Sequence, residues 1–216
     1  MREAGRDPLS EAFRMLRSNM TFMNVSAGNG IRSVLFTSTN PHAGKRVLLV
    51  DLDFRRHALS SQLGHGGSKH GLTAYLAGTI DNADALIRPS DIHDGLDVIY
   101  AGTQPPNPAE MLLSERLDRL VGELKERYDF LFLDSTPAMS VADAVISDRL
   151  ADLCIYIVRE GVLDRRQLPD IERLYREKRF RNMCIVLNST RVRRHGYGYG
   201  YGYGYGYGYG KHRKKK

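Results

Sequence analysis

Residues 36–56 read FTSTNPHAGKRVLLVDLDFRR, and this stretch decides how the chain folds. The first half continues an apolar run, SVLF, into a loop that ends in Ala-Gly-Lys. The second half is another apolar run, which ends in Asp-Leu-Asp. Neighbouring parallel strands need a crossover of about a dozen residues or more, yet residues 39–45 leave only seven. A hairpin of this length would make the two strands antiparallel.

Outward from this stretch, short apolar runs recur along the chain. They are continuously apolar rather than alternating, which is typical of strands covered on both faces. Segments with helical periodicity lie between most of them. Such an alternation predicts an α/β fold, a parallel sheet with helices on both faces. The predicted strands are 33–39, 46–53, 96–102, 129–136, 153–160 and 182–189, and the predicted helices are 10–23, 108–128, 141–152 and 168–178.

Composition narrows the class of protein. A chain of 216 residues with 42% hydrophobic content is long enough for one domain with a sizeable core. No apolar run reaches the roughly 18 residues that span a bilayer, and the first residues carry no export signal. Cys154 and Cys184 lie inside apolar runs, which favours buried reduced thiols and a cytoplasmic protein. The net charge of +7 comes mostly from the five Lys and Arg of residues 211–216, which argues against a nucleic-acid-binding face.

The C-terminal segment differs in composition from the rest. From residue 196 glycine and tyrosine alternate strictly, followed by KHRKKK. Such a tract cannot bury a core, so we predict a folded domain over 1–195 and a disordered tail over 196–216. Hydroxyls flanked by glycine suit phosphoryl acceptance, although a low-complexity segment that associates with RNA has the same composition. The seven candidate acceptors are Tyr197, Tyr199, Tyr201, Tyr203, Tyr205, Tyr207 and Tyr209.

Two strand ends near the opening stretch carry candidate binding groups. Gly44 and Lys45 match the end of a phosphate-binding loop, although Arg46 stands where that loop has Ser or Thr. Asp51 and Asp53 follow a buried strand, at the edge where α/β folds bind ligands, and such carboxylates hold Mg²⁺. Each acid alone also fits a helix cap or a turn.

Two further strand ends add to this pattern. Asp134 ends the run FLFLD, which has the shape of a Walker B strand. Asn188 ends the last strand and resembles a base-contacting asparagine of partition-type ATPases, or equally a strand-end turn.

Together these features resemble the cytoplasmic domain of bacterial tyrosine kinases of the capsular and exopolysaccharide family. The resemblance rests on the N-terminal E-x-x-R-x-x-R of Glu11, Arg14 and Arg17, on VLLVDLDFR as a Walker A′ strand, on FLFLDSTP as Walker B, on PPNPAEML, and on the tyrosine cluster. It covers nearly the whole chain, and the motifs occur in the family's order.

The resemblance implies a P-loop fold related to partition ATPases, and a reaction that uses ATP and Mg²⁺ to phosphorylate tyrosines on a neighbouring subunit's tail. Lys45, Asp51 and Asp53 would be catalytic, Asp51 and Asp134 would hold the metal, and Gly44, Lys45 and Asn188 would bind nucleotide. The arginine motif on helix 10–23 would assemble a ring of identical subunits. The implied partners are a membrane polysaccharide co-polymerase that activates the kinase and a tyrosine phosphatase, with the kinase at the cytoplasmic side of the inner membrane and no nucleic acid.

The chain departs from the family after the phosphate loop. About 20 residues of the expected crossover, with its helix, are absent, either by deletion or because the record is incomplete. Lys45 derives either from the phosphate loop or from the Gly-Lys that precedes the Walker A′ strand in the family. We expect a marginally stable chain with weak ATP binding and little or no kinase activity. Two alternative functions stay open: a non-catalytic phosphoacceptor and assembly subunit, and a partition-type ATPase.

Overall fold

The structure is a computed structural model that describes residues 33–35, 45–63, 70–138 and 142–190. Short 3₁₀ turns cover Ala83–Leu86, Asp148–Leu150 and Arg165–Gln167. The described helices are α1 (Ala58–Gln62), α2 (Leu72–Leu76), α3 (Pro108–Leu112), α4 (Glu115–Arg127), α5 (Asp143–Ser147) and α6 (Leu168–Arg176). The described strands are β1 (Ser33–Leu35), β2 (Val47–Asp51), β3 (Ile87–Pro89), β4 (Leu96–Ile99), β5 (Phe130–Asp134), β6 (Leu153–Arg159) and β7 (Met183–Asn188).

These strands form one sheet in the order β3-β4-β2-β5-β1-β6-β7. All neighbours pair in parallel except β3, which runs antiparallel to β4 at one edge. The predicted parallel α/β fold is therefore confirmed. Within the described ranges, no helix has both the length and the apolar content needed to cross a membrane.

Most predicted elements exist, but the short helices α1 and α2 were not predicted. Strand β3 was not predicted, because its three residues, Ile-Arg-Pro, form no apolar run. The helix predicted over 108–128 is two helices, α3 and α4, which are separated at Ser114. The Ser114 hydroxyl donates to the Met111 carbonyl (2.8 Å) and accepts from the Leu117 amide (3.3 Å), so it caps the second helix. Helix 10–23 and the tail lie outside the described residues.

The short connection between the first two strands does not form a hairpin. Both β1 and β2 pair in parallel with β5, which lies between them. Leu35 pairs with Leu133, and Val47 pairs with Phe130. The connection over 36–46 therefore has to cross two strand spacings and return about three residues along the sheet, roughly 10 Å in each direction. Eleven residues span that distance, and they are close to the minimum for a parallel crossover.

The two faces of the sheet are covered unequally. On one face, Leu131 and Leu133 of the central strand β5 are fully buried, in one apolar cluster with Leu117, Leu120 and other residues of the helices that follow β4 and β5. On the opposite face, Leu59 of α1 packs with Val47, Leu49 and their neighbours. We call this second surface the α1 face. Phe130 and Phe132 of β5 lie on it and are only partly buried.

Candidate functional site

Two carboxylates meet where β2 and β5 end. Asp51 and Asp134 are direct register partners in the parallel ladder, which continues with a 2.8 Å bond from the Leu52 amide to the Asp134 carbonyl. Partners in neighbouring strands are about 4.8 Å apart and point to the same face. Asp51 is fully buried and Asp134 is partly exposed. The sheet therefore brings together two of the acids predicted from the sequence, at its carboxyl edge.

The third predicted acid, Asp53, shapes the turn after β2. Its amide donates to Asp51 Oδ1 (3.0 Å), and its own Oδ1 accepts from the amides of Arg55 and Arg56, at 3.1 Å each. Phe54 within this turn is fully buried and anchors it in the core. Asp53 is thus close to the paired carboxylates, and its backbone is fixed by local hydrogen bonds.

Burial and nearby carboxylates raise the pKa of both paired carboxyl groups. The pKa of Asp51 is raised to about 6, first by burial and also by the Asp53 carboxylate, while the amides of Asp53 and Ala101 and the Ser60 hydroxyl act in the opposite direction. The pKa of Asp134 is raised to about 7, first by burial and then by Asp51 and Asp53. Among the described residues, no cationic side chain contributes to the pKa of Asp51 or to that of Asp134. The site therefore has negative charge that the described side chains do not neutralise.

This charge gives the first prediction. The folded chain keeps protons on Asp51 and Asp134 at pH values where the unfolded chain has released them. The free energy of unfolding should therefore fall as the pH rises from about 4 to about 7. In chelator, Asp134→Asn should melt above wild type at alkaline pH, and the difference should shrink at acidic pH.

Thermal melts at the two pH values measure this effect. Asp129→Asn is the matched control, because the Lys45 ammonium lowers the pKa of Asp129, so its loss should lower the melting temperature at alkaline pH. A melting temperature of Asp134→Asn below that of wild type at alkaline pH would contradict the claim that the Asp134 charge destabilises the folded chain.

The carboxylate pair fits a magnesium ion. Mg²⁺ in nucleotide sites is usually held by one or two carboxylates together with waters and substrate phosphates. Asp51 and Asp134 supply two carboxylates without a cationic partner. Across the described part of the chain, no group of three His, Cys, Asp or Glu side chains could hold a metal ion. Two carboxylates match the ligand set of a magnesium ion that arrives together with a phosphate ligand.

Two polar residues that the sequence prediction missed follow Asp134. Ser135 and Thr136 are buried, and neither hydroxyl has a hydrogen-bond partner. Both line a cavity of about 320 Å³ between the end of β5 and residues 154–157 of β6. Strand β1 lies between β5 and β6, and its crossover leaves in the opposite direction from that of β5. Open α/β sheets bind ligands at such a reversal. The signal in the sequence was a polar pair directly after a strand-end acid.

An ion pair joins the two loops of the site. The Arg55 guanidinium donates twice to the buried Asp143 carboxylate, from Nε (2.7 Å) and from Nη2 (3.1 Å). Asp143 begins α5, after the loop that follows β5. The bidentate pair therefore holds the turn after β2 against the segment after β5, and it keeps Arg55 engaged away from the carboxylate pair.

Lys45 does not lie at this site. It lies two residues before β2, so it is at the amino edge of the sheet, roughly 20 Å from Asp51 by strand length. Its ammonium binds Asp129 Oδ1 (2.8 Å), and the Arg46 amide binds the other oxygen of the same carboxylate (2.9 Å). The structure therefore places Lys45, predicted as a phosphate-binding catalytic lysine, away from the carboxylate pair, at a position that fits the Gly-Lys preceding the Walker A′ strand.

A second prediction follows from this position. Lys45→Ala should leave the affinity for Mg·ATP unchanged, because the removed ammonium is at the opposite edge from the carboxylates. It should lower the melting temperature only slightly, since the ion pair is exposed. Titration with a fluorescent ATP analogue measures the affinity, and Asp134→Asn is the control that should weaken it. Equal losses of Mg·ATP affinity in both variants would contradict this position and indicate that Lys45 contacts phosphate.

The other predicted residues are dispersed or outside the described ranges. Asn188 ends β7 at the carboxyl edge, three strands from β5, and its side-chain oxygen accepts from the Ser189 amide (2.7 Å). In this conformation it forms a turn. Gly44, the seven tail tyrosines, and the motif of Glu11, Arg14 and Arg17 lie outside the described residues.

Comparison with curated proteins finds tyrosine-protein kinases of bacteria among the relatives of this chain. The chain is 31% identical over 172 residues to the tyrosine-protein kinase etk of Escherichia coli. The aligned region covers 72% of this chain and 23% of that protein. The chain is 29% identical over 202 residues to the tyrosine-protein kinase YwqD of Bacillus subtilis, which covers 86% and 83% of the two chains. The chain spans about a quarter of the length of most curated relatives that it matches. No protein-family model matches the chain.

Solved structures agree with these relatives. The BceF tyrosine kinase domain is 32% identical with a TM-score of 0.65, and the match covers 81% of this chain and 76% of that one. A cobyrinic acid a,c-diamide synthase from Mycobacterium smegmatis, solved with an ATP analogue and magnesium, is 19% identical with a TM-score of 0.56, over 72% and 70% of the chains. This second likeness concerns the fold alone, which is that of P-loop nucleotide-binding domains.

Proposed function

The chain belongs to the bacterial tyrosine kinase family, and on that premise we propose that it takes part in ATP-dependent phosphorylation of the tyrosine cluster on a neighbouring subunit's tail. The observation that carries the proposal is the pair Asp51 and Asp134, two register partners at the carboxyl edge with no cationic partner among the described side chains. Negative charge that no side chain neutralises favours the binding of a cation.

The chain's own residues have separable roles in this reaction. Asp51 and Asp134 would hold Mg²⁺, which neutralises phosphate charge when Mg·ATP is bound. Asp53 sits beside them on a fixed turn and would accept the proton of the incoming tyrosine hydroxyl. The unpaired hydroxyls of Ser135 and Thr136 would donate to phosphate oxygens or to metal-bound water. Arg55 and Asp143 would keep the two loops in place.

The remaining parts of the proposal concern segments outside the described residues. We propose that residues 1–195 form the kinase domain, that helix 10–23 assembles subunits through Glu11, Arg14 and Arg17, and that tail 196–216 accepts phosphate. Seven phosphates would add roughly −10 to −14 charges beside five basic residues. A membrane polysaccharide co-polymerase would activate the kinase at the cytoplasmic side of the inner membrane, and a phosphatase would reverse the modification, so that the cycle regulates export of a capsular or extracellular polysaccharide.

We further propose that this chain is a weak kinase. The crossover from β1 to β2 has only eleven residues, and Lys45 lies at the wrong edge to contact phosphate. Phosphoryl transfer depends on positioning and charge neutralisation, and the phosphate loop supplies both. The carboxylates remain, so slow transfer is expected rather than none. A subunit of this kind would serve chiefly as an acceptor within a ring.

A complementation experiment tests the proposal. One variant carries Phe at all seven tail positions and can only donate phosphate, and a second carries Asp134→Asn and can only accept it. Intact mass spectrometry after incubation with Mg·ATP shows which chain is modified. Phosphate on the Asp134→Asn chain only when both are mixed would demonstrate transfer between subunits. If no phosphate appears in any mixture, the catalytic part of the proposal is wrong and the acceptor role alone survives.

A further inference from the structure

Strand β7 forms one edge of the described sheet. It pairs in parallel with β6 and with no other described strand. Its sequence, MCIVLN, contains no charged residue and no proline. Natural proteins usually protect an open sheet edge with charges, proline or a bulge, because such an edge pairs readily with another strand. The composition of β7 is instead that of a strand with a neighbour on each side.

The backbone of Ile185 and Leu187 faces away from β6. The Asn182 carbonyl accepts a hydrogen bond from the Cys154 amide (2.7 Å), and the Asn188 carbonyl accepts one from the residue after β6 (3.0 Å). The amide and carbonyl of one strand residue point to the same side, and this side alternates along the strand. The even-numbered residues of β7 therefore bond to β6, and Ile185 and Leu187 direct their amides and carbonyls outward.

The side chains of the same two residues are open as well. Ile185 and Leu187 are each 56% exposed. They point to the same face as Met183, which packs against the main apolar cluster. An apolar strip thus lies beside backbone groups that have no partner among the described residues. We call this surface, formed by Ile185 and Leu187, the β7 edge.

We propose that the tyrosine–glycine tail of the same chain, residues 196–210, turns back and adds to the β7 edge as an antiparallel strand. The tail cannot bury a core of its own, but an existing sheet edge supplies partners for its backbone. The proposal concerns the unmodified tail and needs no nucleotide, so it holds or fails independently of kinase activity.

The alternation of the tail matches this edge. Successive side chains of an extended segment point to opposite faces, so all seven tyrosines would lie on one face and the glycines on the other. Tyrosine is also a residue that favours strands. Directly opposite residues of antiparallel strands share a face, so tyrosines opposite Ile185 and Leu187 would cover those side chains with their rings. The tyrosine amides would then point toward β7, and the glycine amides would point away from it.

The chain leaves β7 in a position that suits this return. Ser189 directly follows β7 and has a φ of 60°, a left-handed conformation that occurs mainly in turns. Seven residues, 189–195, separate β7 from the tail, and the 15 residues of the tail exceed the six of the strand. Because β6 occupies the inner edge of β7, a returning segment meets the outer edge, where the amides of Ile185 and Leu187 lie.

Docking would compete with phosphorylation of the tail, a consequence that rests on the proposed function. A phosphate on a ring over the β7 edge adds roughly −1.5 to −2 charges at an apolar surface. Docked tyrosines would therefore be shielded from phosphoryl transfer, and modified tyrosines would leave the edge.

Hydrogen exchange of single amides, measured by NMR on the full chain without ATP, tests the pairing. The disrupting variant carries Tyr199→Pro, Tyr203→Pro and Tyr207→Pro. These three positions include one member of every pair of consecutive tyrosines, so each register of the tail loses an amide that points toward β7. The amides of Ile185 and Leu187 should exchange at least about tenfold faster in this variant than in wild type.

Two controls separate pairing from other effects of proline. The amides of Cys184 and Val186 belong to the same strand but bond to β6, so their exchange should not change. The matched variant carries Gly200→Pro, Gly204→Pro and Gly208→Pro, which remove amides that would point away from β7. An edge strand tolerates proline at such positions, so the slow exchange of wild type should persist.

Three results would overturn the proposal. The first is fast exchange of the Ile185 and Leu187 amides in wild type, and the second is an equal effect of the two proline variants. The third is protection of these amides that falls when the protein is diluted, because the tail would then pair with another copy rather than with its own chain.

Discussion

Restoring a crossover helix between Leu35 and Val47 is expected to raise both the stability and the kinase activity of the chain. The insert would be the corresponding segment of the B. subtilis relative, about 20 residues, placed between the phosphate loop and β2. Covering a few hundred Å² of apolar surface at about 25 cal/mol per Å² stabilises the fold by several kcal/mol. That is a large part of the usual 5–15 kcal/mol net stability of a domain.

The expected gain in phosphorylation rate is at least about 100-fold, because the insert also restores the amides and the lysine that bind phosphate. Denaturant unfolding and intact-mass kinetics measure the two effects. The matched control is a Gly/Ser insert of equal length, which lengthens the connection without a helix and should improve neither property. If both inserts behave alike, the short crossover is not what limits the chain.

Removing either paired carboxylate should abolish the kinase activity that the insert restores. In the restored chain, Asp51→Asn or Asp134→Asn should lower the phosphorylation rate by about 100-fold or more, because each removes a ligand from the proposed metal site. The same changes should raise the stability without metal, since each removes a charge that burial disfavours. A simple folding defect would lower both quantities, so the opposite signs distinguish the two explanations.

The matched control for these variants is Asp97→Asn, on β4 next to β2. Asp97 accepts a 2.7 Å hydrogen bond from the Tyr128 hydroxyl near the amino edge of the sheet. Weakening this hydrogen bond should lower the stability of the fold without specifically lowering the phosphorylation rate. A full rate in Asp134→Asn would contradict the metal assignment.

The sequence predicted the sheet well, because each inner strand is a continuous apolar run. It also placed Asp51 and Asp134 at strand ends, and the parallel register then aligned them. One feature depended on long-range geometry and was missed. The order of strands separates β1 from β2 by β5, so the short connection did not force a hairpin.

Residue roles were harder to predict than elements. Lys45 looked like a phosphate ligand because the local string Ala-Gly-Lys matches a loop motif. Its contact with Asp129, 84 positions away, comes from the pairing of β2 with β5 and cannot be seen in that string. The pairing of Arg55 with Asp143 has the same origin. Short motifs identify residue types, whereas strand order decides which of them meet.

Phosphorylation of the unmodified chain, with and without an active family kinase, tests the central claim most directly. The purified chain is incubated with Mg·ATP alone and with the B. subtilis relative, and the phosphates on each chain are counted by intact mass. We predict slow and partial phosphorylation of the chain alone, and up to seven phosphates on its tail when the relative is present. Rapid modification of the chain alone, at the rate of the relative itself, would contradict the claim that this chain is a weak kinase and chiefly an acceptor.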